Sequence, residues 1–235
     1  CLTSPKTLPS VMKLYNYFRS GTSFRVRIAL NLKGLPYDYI PVHLAKGEQH
    51  GDAYRAISPD SLVPLLALEG EPDHARLSQS MAIIEYLDET HPEPPLLPRD
   101  PLGRARVRAL AQTVACEIHP LNNLRVLKYL AQPLGLDEAQ RAAWYNHWVM
   151  EGLRMYERRL QQYAVERERA GLPPSVYSYG DTPTLADCCL VPQIVNGQRF
   201  GLQYEGIPLT LAVYERCMQL DAFQRAHPSR CPDAE

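Results

Sequence analysis

The apolar positions of this chain change period several times before residue 91 and keep a helical period after residue 103. Met12 to Tyr17, where tyrosines flank Leu14, predicts a strand. Arg19-Ser20-Gly21-Thr22-Ser23 then supplies turn chemistry and hydroxyl caps. Val26, Ala29 and Leu30 follow at helical spacing until Lys33-Gly34 stops the run. Ile40, Val42 and Leu44 alternate with Tyr39, Pro41 and His43, which predicts a second strand, parallel to the first if the helix is a crossover. Pro41 indicates a sheet edge. Leu65 to Leu68 and Ala75 to Leu77 read as a hairpin around a turn at Glu69 to Asp73. Ser80 opens a helix carrying Met81, Ile84 and Leu87, which ends at His91-Pro92 because proline disfavours helix in its predecessor. The order is β-α-β, then β-β-α.

Pro92, Pro94, Pro95, Pro98 and Pro101 make residues 91–103 a stiff, extended linker. Beyond it Val107, Leu110, Val114 and Ile118 share one helical face, and Trp144, Trp148 and Leu153 mark a long helix reaching about Tyr163. Arg167 to Pro174 reads as a loop, and Thr184-Leu185-Ala186-Asp187 is a capping-box pattern ahead of Leu190-Val191. The expected organisation is a disordered leader over 1–11, an α/β domain over 12–90, the linker over 91–103 and an all-helical domain over 104–235.

Composition narrows the function classes. With 235 residues and 45% apolar side chains the chain can build a substantial core, and a net charge of -1 lacks the basic excess expected of a nucleic-acid or anionic-membrane partner. No apolar run approaches the roughly 20 residues that span a bilayer. The six cysteines include no C-x-x-C and the seven histidines no H-E-x-x-H or H-x-x-x-H, so no metal site is expected. A chain of this size does not need disulfide staples, and the cysteines read as reduced thiols of a cytoplasmic protein.

Three places carry candidate chemistry. Ser20 to Ser23 lies between a strand end and a helix start, where unpaired N–H groups and the helix dipole favour an anion such as a thiolate. Gln79-Ser80 repeats that chemistry for a carboxylate. Both sets of polar side chains also serve as ordinary helix caps. Val63-Pro64 precedes a short strand at the place where a thioredoxin-like domain carries a cis-proline, although most X-Pro bonds are trans.

Together, Ser20-Gly21-Thr22-Ser23-Phe24-Arg25-Val26-Arg27-Ile28-Ala29-Leu30, Val63-Pro64, Gln79 to Leu87, His119-Pro120-Leu121-Asn122-Asn123-Leu124 and Gly180-Asp181 to Pro192 resemble zeta-class glutathione transferases. The resemblance runs from about Met12 to Asp233 and is greatest to the maleylacetoacetate and maleylpyruvate isomerases of that class. It implies a thioredoxin-like N-terminal domain that binds glutathione, an all-α C-terminal domain that completes the pocket, and a homodimer. By motif position, Ser20 and Thr22 approach the glutathione sulfur, Val63 pairs with the cysteinyl backbone, and Gln79 and Ser80 hold the γ-glutamyl carboxylate. Gln49 lies near the glycyl end, and His119 and Asn123 add contacts from the first long helix. Arg19 and Arg199 orient a small maleyl acid. Family members with Ser-Ser-Cys differ from Ser20-Gly21-Thr22, which leaves open which hydroxyl is the main donor. Leu124 stands where some maleylpyruvate isomerases have arginine, which favours maleylacetoacetate. A transferase that conjugates small electrophiles and a noncatalytic binding module are the alternatives.

The expected chemistry is energetically feasible. Lowering a thiol pKa from about 8.5 to about 6.5 takes roughly 2.7 kcal/mol. A helix N-terminus supplies about 0.3 to 1 kcal/mol and a hydroxyl hydrogen bond to a charged group about 1.5 to 3 kcal/mol, so the pair suffices where the dipole alone does not.

Overall fold

β1 (Met12–Asn16) is the strand on which the first unit is assembled. The computed structural model describes residues 12–68 and 75–235; the expected leader over 1–11 and the turn at Glu69 to Asp73 lie outside the described residues. β1 pairs in parallel with β2 (Tyr37–Pro41) and antiparallel with β3 (Leu65–Leu68), which pairs antiparallel with β4 (Arg76–Ser78). The sheet order is β2-β1-β3-β4, which puts β2 and its Pro41 at an edge. β2 begins earlier than the alternation at Tyr39 to Leu44 indicates. Its register runs from Met12 opposite Tyr37 to Asn16 opposite Pro41, so five-residue β1 ends the ladder there. Leu44 instead opens a 3-10 turn, Leu44–Lys46, capped by His43.

α1 (Gly21–Leu32) connects β1 to β2, and α3 (Ser80–Thr90) packs beside it. Both bury apolar faces, with Val26, Ile28, Ala29 and Leu30 on α1 and Ile83, Ile84 and Leu87 on α3 all removed from solvent. Their far ends are tied by Lys33, whose buried ammonium donates to Asp88 at 2.8 Å and to the His91 carbonyl at 2.7 Å. α2 (Asp52–Arg55) is a single turn between β2 and β3.

The described residues divide into two compact units, those up to 91 together with 225–235, and residues 92–224. The last eleven residues therefore group with the α/β unit and not with the helical one. Asp233 explains part of this: it accepts the Phe18 N–H at 3.3 Å and the Tyr39 hydroxyl, while Glu235 meets His43 and Lys46 at 3.2 and 3.5 Å.

The second unit is helical. α4 (Pro101–Gln112) starts within the stretch expected to be linker, because Asp100 caps it by accepting the Gly103 N–H and Pro101 suits the first helical position. It passes into a π-helical turn (Thr113–Ile118) and α5 (His119–Asn122), followed by α6 (Leu124–Ala131). α7 (Glu138–Arg169) is longer at both ends than its aromatic face predicted. Asp137 and Gln140 form a capping box at its start. The expected loop at Arg167 begins only after Arg169, where Gly171 takes a positive φ of 67°. α8 (Leu185–Arg199) is the most buried helix of the unit and contacts α4 and α9 (Pro208–Cys217), with α10 (Asp221–Ala226) following. At the start of α8 the Asp187 carboxylate accepts from the Thr184 N–H and hydroxyl and from the Ser178 N–H at 2.7 to 3.0 Å.

Gly152 lets α7 approach the π-helical turn. A Cβ there would lie 2.1 and 2.5 Å from Ile118 Cγ1 and Cδ1, and Ile118 is fully buried. Gly152→Ala is expected to lower stability by about 1 to 3 kcal/mol through overpacking. Denaturant unfolding of Gly152→Ala, Ile118→Ala and the double variant checks this: the double should lose less than the sum of the singles, because the added methyl fills the space vacated by Ile118. Strict additivity would contradict the packing account.

Candidate active site

The first unit carries its predicted site residues on four pieces of backbone. At the end of β1 the chain turns through Phe18 and Arg19 into α1, with Ser20 as N-cap in an extended conformation (φ -71°, ψ 118°). Ser20 Oγ accepts the Ser23 N–H at 3.2 Å and lies 2.9 Å from Thr22 Oγ1. Thr22 in turn donates to the Val63 carbonyl at 3.2 Å. Ser20, Thr22 and Val63 are thus one hydrogen-bonded cluster, and all three keep partial exposure. With the Thr22 proton directed at Val63, the Ser20 hydroxyl is the one left to turn its proton toward a neighbour.

Val63-Pro64 is a cis peptide, as the thioredoxin-like reading expects. The residue before it is held from behind: Tyr54 donates to the Leu62 carbonyl at 2.6 Å and Ser58 to the same oxygen at 3.4 Å. Burial pushes the Tyr54 phenol up to about 12, so it remains a donor at neutral pH. Gln49 sits in the 3-10 turn Glu48–His50 just before α2, buried, with its Oε1 lacking a hydrogen-bond partner.

The fourth piece is the start of α3. Gln79, its N-cap, is exposed and adopts φ 68°, ψ 112°, a backbone region that non-glycine residues rarely occupy and that clusters at ligand sites. Ser80 is buried, and its Oγ accepts from Arg25 Nη1 at 3.3 Å. Two helix N-termini in one unit, α1 and α3, therefore present hydroxyls and unpaired N–H groups suited to anions. Backbone carbonyl, hydroxyl pair, orphaned amide oxygen and buried guanidinium together suit a small peptide thiol with a carboxylate at one end.

Arg19 is exposed, with its guanidinium 4.8 Å from the Phe18 ring centroid. Of the sites assigned to the second unit, Arg199 is the exposed last residue of α8 and lies 5.1 Å from the Phe200 centroid. His119 opens α5 and is partly exposed. Asn123 is placed differently from expectation: the helix breaks there, and Asn123 caps α6 by accepting the Arg125 and Val126 N–H groups at 3.0 and 3.1 Å while donating to the Pro120 carbonyl. Its amide oxygen is committed to this turn, which ends the helix that Asn123 was expected to belong to.

None of the described cysteines is hydrogen-bonded to the Ser20–Thr22–Val63 cluster. Cys188, Cys189 and Cys217 are buried in the second unit, and burial pushes the Cys217 thiol well up. Cys231, in the first unit, is also raised by burial and contacts the His227 carbonyl. The five described cysteines form no disulfide among themselves, and the described residues contain no group of three His, Cys, Asp or Glu placed to hold a metal. No helix among them is long and apolar enough to cross a membrane.

Two residues of structural importance at the site escaped the sequence reading, Arg25 and Arg27. The signal was present in Arg25-Val26-Arg27-Ile28-Ala29-Leu30, where charged residues sit inside a run with no polar face to carry them. Both are buried, 3% and 1% exposed. Tyr54 and Asp233 also went unassigned, as their roles depend on contacts far along the chain.

Comparison with known proteins finds relatives over nearly the whole chain. The family described as "Glutathione S-transferase, N-terminal domain" matches residues 19–90. A maleylpyruvate isomerase from Ralstonia sp is 51% identical over 95% of this chain and 100% of its own length. The holo structure of a maleylpyruvate isomerase, a bacterial glutathione transferase in the zeta class, superposes with a TM-score of 0.87 at 51% identity, covering 95% of this chain and all of that one. The maleylacetoacetate isomerase from Anaeromyxobacter dehalogenans 2CP-1, solved with glutathione in its active site, gives a TM-score of 0.83 at 42% identity over 97% of this chain and 100% of that one. With its α/β glutathione-transferase domain, its helical second unit and full-length relatives of this identity, the chain belongs to the zeta class of the glutathione transferases.

Proposed function

We propose that this protein catalyses the glutathione-dependent cis-trans isomerisation of a maleyl acid, with maleylacetoacetate as the principal substrate. The observation that carries the reading is the Ser20–Thr22–Val63 cluster at the N-terminus of α1, in a chain similar over its length to isomerases of this type. The chemistry supplied by glutathione when bound is reversible thiolate addition to the electron-poor alkene, which lets the former double bond rotate and returns the thiol on elimination.

The protein's part is to bind, orient and stabilise charge. In the unliganded protein Thr22, its own proton given to the Val63 carbonyl, accepts from Ser20 and sets its rotamer; on glutathione binding Ser20 turns that one proton to the sulfur. The α1 N-terminus adds a favourable field for negative charge. The Val63 backbone meets the cysteinyl backbone, Gln79 and Ser80 hold the γ-glutamyl carboxylate, and Gln49 faces the glycyl end. Arg19 and Arg199 supply the cationic partners that a dicarboxylate requires beside a thiolate, and His119 contributes from the helical unit. The assembly is a homodimer and its setting the cytoplasm, readings that rest on family resemblance and on free thiols. A second reading, maleylpyruvate as substrate, is favoured by the 51% identity to the Ralstonia maleylpyruvate isomerase.

The test follows the ultraviolet absorbance of both acids with and without glutathione while free thiol is titrated. Conversion that requires glutathione and conserves thiol is the expected result, and the ratio of the two kcat/KM values decides between the acids. Stoichiometric loss of thiol would identify a conjugating transferase; glutathione binding with no conversion would identify a binding module.

Ser20→Ala is expected to lower kcat by about 10 to 100-fold, the value of one hydrogen bond to a charged group, and to raise the bound thiol pKa by about one to two units. Thr22→Val should cost less, about 3 to 10-fold, since it loosens the donor without removing it. Because Ser20 is also a cap, worth about 1 kcal/mol, the assays belong well below each variant's melting temperature. Equal turnover in wild type and Ser20→Ala would reject hydroxyl activation.

A further inference from the structure

Arg25 is buried, 3% exposed, on the first turns of α1. Among the described residues its guanidinium has one hydrogen-bond partner, Ser80 Oγ at 3.3 Å from Nη1, and its Nε–H has none. No carboxylate pairs with it among those residues. An enclosed cation facing only a neutral hydroxyl is costly, and folded proteins rarely retain one without a compensating group. The cation reaches the N-terminus of α3, an eleven-residue helix whose own dipole is positive at that end. Positive charge is therefore doubled at one point, and the partner missing among the described residues is an anion.

We infer that Arg25 is the counter-charge for the ligand's γ-glutamyl carboxylate, acting through Ser80; this rests on the glutathione-binding reading above. The hydrogen bond fixes a direction. Since Ser80 Oγ accepts from Arg25, its own proton points elsewhere and donates to a carboxylate at the α3 N-terminus, giving a relay of guanidinium N–H to hydroxyl oxygen and hydroxyl proton to carboxylate. Arg25 is a positioning residue: it orients and polarises Ser80 and supplies the field, and it stays behind the helix end. Bound carboxylate offsets the cost of the buried cation, so part of the cation's desolvation cost, carried by the empty protein, is recovered on binding.

This role separates from a packing role by the ligand chosen. Calorimetric titration measures glutathione and an analogue in which the γ-glutamyl α-carboxylate is replaced by hydrogen, against wild type, Arg25→Gln and Arg25→Lys, with melting temperatures taken without ligand. Arg25→Gln is expected to weaken glutathione by about 10 to 100-fold while leaving analogue affinity within about threefold. Its unliganded melting temperature should equal or exceed that of wild type, because the uncompensated charge is gone. Arg25→Lys, which keeps the charge, should retain most of the preference for glutathione over the analogue, and serves by itself if the glutamine variant does not fold. Equal loss of glutathione and analogue in Arg25→Gln, or loss of the preference in Arg25→Lys, overturns the assignment. Wild-type protein that binds neither compound would instead remove the glutathione reading on which it stands, and the assignment with it.

Discussion

A second buried guanidinium, that of Arg27, holds the first unit's working parts in place. It is 1% exposed, and its partners are all neutral: the Ala226 carbonyl at 3.0 Å, Asn16 Oδ1 at 2.9 Å, the Phe18 carbonyl at 3.1 Å and the Tyr17 carbonyl at 3.4 Å. These acceptors come from the end of β1, the loop entering α1 and the last residue of α10. Only a planar donor fork satisfies so many carbonyl groups at once, and lysine has neither the reach nor the geometry. The loop bearing Ser20 thus has its conformation set by carbonyls turned inward to Arg27, which leaves Ser20 and Thr22 directed away from the core.

The two arginines of α1 divide the labour of a buried charge. Arg27 is spread over four neutral acceptors and behaves as a structural nail. Arg25, two residues away and so on a different face of the same helix, meets a single hydroxyl. Identical side chains in adjacent apolar surroundings differ in satisfaction, and that difference marks one as fold and the other as site. The same logic applies to Gln49, whose buried oxygen lacks a partner, and to Asn123, whose amide oxygen is fully used as a cap.

Much of this was legible in the sequence because it follows from local chemistry. Ser20 to Ser23 and Thr184 to Asp187 announce helix starts with side chains that cap within three residues, and the alternation and turn residues around Leu65 to Leu77 give the hairpin. The misses share a cause. β2 begins at Tyr37 because β1 sets the register, a constraint absent from the segment's own alternation. Residues 225–235 join the first unit through Asp233 and Ala226, partners some 200 positions from their acceptors and donors. Arg25 and Arg27 went unassigned because their burial and partners are set by the layers packed around α1, not by the segment alone. Asn123 carried a cap signal as well as a motif position, and its amide oxygen serves the cap that starts α6.

The arrangement also accounts for how a thiolate and an acidic substrate can be handled by one small surface. A thiolate in low dielectric repels a dicarboxylate, so binding both requires cationic groups whose positions are fixed before either arrives. Arg19 is exposed and flexible by nature, but its guanidinium lies over Phe18, a ring that is 3% exposed and whose backbone is held at both ends. The Phe18 carbonyl accepts from Arg27 and the Phe18 N–H donates to Asp233. The proposed substrate cation is therefore placed by the same buried contacts that place Ser20, one residue further on. A change that loosened the Arg27 clamp would move donor and cation together, so substrate orientation and thiol activation would decline in parallel and not independently.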